Sequence, residues 1–89
     1  MRIKEGFTLR TICGEHIVIG EGLSQVNFNR MLSLNKTAAY LWEQLKGKDF
    51  TADDAVSLLF DRYEVTTQQA RSDVQQLFKE WKEQGVLED

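Results

Sequence analysis

Near residue 35 the hydrophobic period of this chain changes, and that change constrains its fold more than any other feature. Before it, apolar side chains roughly alternate, the two-residue period of a strand with one buried face. After it, they return every three or four residues, the period of an amphipathic helix. A chain patterned this way predicts a small sheet first and helices afterwards.

The strand half reads in three pieces. In Phe7-Thr8-Leu9-Arg10-Thr11-Ile12, Phe7, Leu9 and, less regularly, Ile12 fit one side of a strand. His16-Ile17-Val18-Ile19 is rich in β-branched side chains, which suit a pleated surface. Between them Cys13-Gly14-Glu15 predicts a tight hairpin turn, because Gly14 can take positive φ. Gly20-Glu21-Gly22 ends the second strand. Residues 25–34 predict a third, bent or broken at Asn29-Arg30, with Val26 and Phe28 alternating early and Leu32 and Leu34 sharing a face later.

The helical half carries its own start and stop signals. Asn35 is a good N-cap for a helix from Lys36 to about Lys46, where Ala38, Leu41, Trp42 and Leu45 form one apolar face and Gly47 a stop. Thr51 caps a second helix that ends near Tyr63, and Asp53 and Asp54 suit the positive end of its dipole. Thr66 and Gln69, at capping-box spacing, open a third. Its stripe of Ala70, Val74, Leu77, Phe78 and Trp81 is the clearest amphipathic pattern in the chain, and Gly85 stops it before Val86 and Leu87. The fold class is therefore α+β, three strands of an antiparallel sheet followed by three helices, in one domain spanning 1–89.

Composition narrows the function. The chain has 89 residues, 11 basic against 14 acidic, for a net charge of −3. That balance argues against a free-standing nucleic-acid binder. The single cysteine, Cys13, forms no internal disulfide, and no apolar stretch is long enough to span a membrane. The N-terminal residues lack the apolar core of a signal peptide, so the expected location is the cytoplasm.

Catalytic chemistry finds little to work with. Cys13 and His16 flank a turn, but no Asp or Asn is placed to orient the histidine as a nucleophilic site requires. Cys13-x-x-His16 supplies two of the four ligands of a structural zinc, with no second Cys or His to complete them. No cofactor or metal is expected. Gly20-Glu21-Gly22 lacks a phosphate-loop pattern, and Glu21 would repel phosphate. A winged-helix reading would use Arg71, Gln75, Lys79 and Lys82 on DNA, but Asp73, Glu80 and Glu83 dilute that face.

Strand addition has the better physical basis. The edge of a three-stranded sheet leaves a row of unpaired N–H and C=O groups that an extended peptide can take up. A protected edge with no partner is the plain alternative. An exposed edge can also pair with itself, so monomer and dimer both stay open.

The ordered residues Leu34-Asn35-Lys36-Thr37-Ala38-Ala39-Tyr40-Leu41-Trp42, Leu45-Lys46-Gly47, Phe50-Thr51, Ala55-Val56, Tyr63, Asp73-Val74, Leu77-Phe78, Trp81 and Gly85-Val86-Leu87 resemble the PqqD family over about residues 15 to 88. The resemblance implies a winged-helix-like domain. It implies a non-catalytic recognition element for ribosomally synthesised, post-translationally modified peptides. Such a domain holds the leader of a precursor and delivers it to a modifying enzyme, which in the founding pathway is a radical S-adenosylmethionine protein. The leader there adds to the third strand and packs against the third helix. Carried onto this chain, the peptide-binding residues are Arg30, Met31, Leu32, Ser33 and Leu34 of the strand, with Ala70, Arg71, Asp73, Val74 and Leu77 of the helix. Met31 and Ser33 are expected on one face of the strand, Leu32 and Leu34 on the other. Trp42 and Trp81 are expected in the core. The alternatives are a winged-helix DNA-binding or regulatory domain and a protein–protein scaffold.

Overall fold

The computed structural model describes residues 1–20 and 31–88. Eight elements follow in chain order: β1 (Arg2–Ile3), β2 (Phe7–Ile12), β3 (Glu15–Gly20), β4 (Met31–Leu34), α1 (Lys36–Leu45), α2 (Ala52–Arg62), α3 (Thr67–Glu83) and β5 (Leu87–Glu88). Strands β2, β3 and β4 form an antiparallel sheet in that order, followed by the three helices. The expected α+β class is the observed one. The part of the expected third strand before Met31 lies outside the described residues.

The hairpin forms for the reason its sequence suggests, with one addition. Cys13 at φ 54° and Gly14 at φ 79° both take the left-handed region, as a two-residue type I′ turn requires. The register is uninterrupted from Ile12↔Glu15 to Phe7↔Gly20, and β4 continues it from His16↔Leu34 to Ile19↔Met31. Side chains opposite one another share a face. Val18 and Leu34 are therefore buried on the same face as the half-buried Phe7, Leu9 and Leu32, which pack on the core. Ile12 falls on the other face, 47% exposed, because six residues from Phe7 to Ile12 put it out of phase.

The helix caps act as their sequences predict. Asn35 Oδ1 accepts from the Ala38 N–H at 2.8 Å. Thr51 and Asp54 form a reciprocal capping box. Thr66 Oγ1 accepts from the Gln69 N–H, while the Gln69 side chain donates to Asp73 instead of reaching back. At the end of α3 the Gly85 N–H donates to Lys82 C=O and the Val86 N–H to Trp81 C=O, a Schellman closure with Gly85 at φ 77°.

The core gathers between the sheet and the helices. Trp42 and Trp81 meet edge to face, centroids 5.2 Å apart, and Trp81 stacks on Phe78. Both tryptophans are buried, as expected. β1 and β5 pair antiparallel, Ile3↔Leu87, as a second small sheet that the sequence pattern does not announce. The Lys4 N–H donates to Val86 C=O and the Phe50 N–H to Met1 C=O, so the N-terminal segment is tied to the end of α3 and to the stretch between α1 and α2.

Candidate functional site

The site begins with the order of the strands. Among the described residues β4 has a ladder partner on one side only, which is β3. Which of its backbone groups remain free follows from the turn. In a two-residue hairpin the closing pair, here Ile12 and Glu15, exchanges both hydrogen bonds, and pairs then alternate between bonded and non-bonded. Residues 15, 17 and 19 of β3 thus bond to β2, and residues 16, 18 and 20 turn toward β4. Their partners Leu34 and Leu32 bond to β3. The backbone groups of Ser33 and Met31 point away from the sheet, into the open edge. Asn35 extends this edge by one residue, since it keeps an extended backbone, φ −75° and ψ 177°, before the helix begins.

The expected site residues differ sharply in exposure. Ser33 is exposed, Leu32 half-buried and Leu34 buried. Arg30 lies outside the described residues. On α3, Ala70 and Val74 are 0% and 1% exposed. They belong to the core and have no side-chain surface to offer a guest. Leu77 is half-buried and packs on the core. Arg71 and Asp73 are exposed and already engaged: Arg71 pairs with Asp53 of α2 at 3.1 Å, and Asp73 accepts from Gln69 at 2.8 Å. The main helix packing on β4 comes from α1, while α3 packs chiefly on α2 and β5.

Sequence reasoning passed over one neighbour of this edge. A depression of about 370 Å³ is lined by residues 14–16 and 33–36, where the end of β4 meets the hairpin turn and the start of α1. It brings His16, Glu15 and Lys36 next to Ser33 and Leu34. His16 Nδ1 sits 3.1 Å from Thr11 Oγ1, which leaves Nε2 as its other polar atom. The register would have revealed this neighbourhood, since His16 stands opposite Leu34, but the register needs the position of β4. Among the described residues no three His, Cys, Asp or Glu side chains gather as a metal-binding set, and no helix is long and apolar enough to cross a membrane.

An α+β chain with an open sheet edge beside such helices has known relatives. Residues 15–87 match the family described as coenzyme PQQ synthesis protein D, and the chain belongs to this PqqD family. Two solved structures share the fold. One is described as lasso peptide synthetase B1 complexed with the leader peptide; it is 21% identical, with a TM-score of 0.72 over 96% of this chain and 93% of that one. The other is TbiB1 in complex with the TbiA(beta) leader peptide, 15% identical, with a TM-score of 0.76 over 99% and 95%. No curated protein matches the chain.

Proposed function

We propose that this protein is a peptide-binding adaptor. It takes the leader of a ribosomally made precursor as an added strand on β4 and presents the precursor to a modifying enzyme, with no part in the chemistry itself. The observation that carries this reading is the edge of β4 that no described strand covers, with the backbone of Ser33 and Met31 turned outward. Membership of the PqqD family and a fold shared with two leader-bound proteins support it.

Each described candidate residue has a role under this reading. Met31 and Ser33, with the Asn35 N–H, supply main-chain hydrogen bonds. Leu32 and Leu77, both half-buried on the core, offer apolar surface. Arg71 and Asp73 are charged groups at the α3 wall, available once their surface partners exchange. Leu34, Ala70 and Val74 hold the strand and helix in place from the core. A radical S-adenosylmethionine enzyme is one suitable partner, and the adaptor role does not depend on its chemistry. Ribosomal precursors are made in the cytoplasm, where this role places the protein.

The test exploits the alternation of the edge. Proline at Ser33 removes an outward donor and spares the bonds to β3. Ser33→Pro should fold normally and weaken binding of a leader encoded beside its gene by at least about fivefold, measured by calorimetry. Leu32→Pro, which removes a donor to β3, should instead lower the melting temperature. A folded Ser33→Pro variant with unchanged affinity would count against docking at β4.

A further inference from the structure

The depression at the end of β4 carries charges that the chain itself leaves unmatched. The β3–β4 ladder ends at His16↔Leu34, although β3 begins at Glu15. Beyond that pair the two strands part, because Lys36 is already the first residue of α1. The gap between them is the depression, with Glu15 and His16 on the β3 side and Ser33, Asn35 and Lys36 on the β4 side. Among the described residues neither Lys36 nor Glu15 has an ion-pair partner, although both line it. Lys36 gains nothing from its own helix either. The positions three and four residues on, where a helical neighbour could pair with it, are Ala39 and Tyr40. The first turn of α1 holds no acid, whereas that of α2 holds Asp53 and Asp54.

We propose that this depression is a specificity subsite of the β4 edge, and that it takes the side-chain carboxylate of an Asp or Glu of the leader at Lys36. The inference rests on the leader reading: a strand added to β4 follows its outer edge past Ser33 and Asn35. Where the chain turns into α1, the added strand loses its backbone partner, and its next side chain comes beside Lys36. Three exposed residues there offer donors: the Lys36 ammonium, the Ser33 hydroxyl and the Asn35 side-chain NH2, since Asn35 Oδ1 is taken by the cap. Glu15 opposes an acid in the same depression, and position decides between the two charges. Lys36 continues the strand that the guest pairs with. Glu15 belongs to β3, one strand spacing of about 4.8 Å further from the guest. The nearer charge sets the sign, because the interaction weakens with distance. His16, the remaining titratable group of the lining, is also on β3, with its Nδ1 beside Thr11 Oγ1.

The experiment is calorimetry of the full chain with the leader encoded beside its gene, and with synthetic copies in which each Asp or Glu is changed in turn to Gln or Lys. One acid, at the end of the bound stretch, should be the sensitive one. Lys36→Glu should weaken binding of the natural leader by about three- to tenfold. The same variant should bind the copy carrying Gln at that acid as the parent does, and the copy carrying Lys better than the parent does. It puts an acid in the first turn of α1, which favours the helix, so a fold defect is not expected. Glu15→Gln should tighten the natural leader or leave it unchanged. If Lys36→Glu binds every copy as the parent does, while Ser33→Pro still weakens the leader, the subsite is overturned and strand addition stands. Weaker binding by Glu15→Gln assigns the depression to a basic side chain and also overturns the subsite. A leader that fails to bind, or binds indifferently to both Ser33→Pro and Lys36→Glu, overturns both readings.

Discussion

At the scale of single residues, the decisive contrast lies along α3. Ala70, Val74, Phe78 and Trp81 are buried while Arg71, Asp73 and Gln75 are exposed, so the helix gives its whole apolar stripe to its own core apart from Leu77. A repeat at i, i+4 marks a stripe that needs covering. It does not say whether the cover is the protein's own core or a guest, which is why Ala70 and Val74 entered the expected groove. The tryptophans were easier to read, since a large ring at a buried helical phase goes inside. Replacing Trp42, which is 1% exposed, by alanine should cost about 3–5 kcal/mol in urea unfolding. A loss below about 1 kcal/mol would contradict the packing described. Gly85 makes a finer test. A Cβ added there meets nothing within 4 Å, so Gly85→Ala should cost only the left-handed backbone penalty, about 1–2 kcal/mol, and Gly85→Asn less.

At the scale of elements, caps and turns explain what was legible. All three helices begin where an Asn or Thr side chain accepts an amide, at Asn35, Thr51 and Thr66. Asn35 acts in two directions, because its side chain caps α1 while its backbone prolongs the β4 edge. Asn35→Ala should therefore lower stability by about 1 kcal/mol in thermal unfolding. A change near zero would mean that the cap contributes nothing. The hairpin was legible from Gly14, but its full parity needed Cys13 as well, the one described non-glycine residue at positive φ. That parity assigns Ser33 and Met31 to the open edge, and no hydrophobic pattern contains it. Two-residue strands have no period at all, so β1 and β5 left no trace in the pattern.

At the scale of the whole molecule, the small β1–β5 sheet closes the helical layer and joins the two ends of the described chain. Ile3 and Leu87 are both buried across that pairing. Ile3→Ala should cost about 2–5 kcal/mol, as much as a change inside the main core. Equal stability of this variant and the parent in urea would show that the terminal sheet is dispensable. The larger sheet then stands as a three-stranded platform, one face on the core and, among the described residues, β4 paired on one side only. The proposed function uses that geometry, since an open edge beside a hairpin and a helix is a template for an extended chain.

The central claim is that a precursor leader becomes the next strand of this sheet. Titrating isotope-labelled protein with leader peptides encoded beside its gene, followed by amide NMR, tests it most directly. The account predicts saturable shifts at Met31, Ser33 and Asn35, with the Ser33 amide moving as a hydrogen bond forms and its exchange slowing in the complex. Saturable shifts confined to residues away from β4, or no shifts up to millimolar leader, would contradict it.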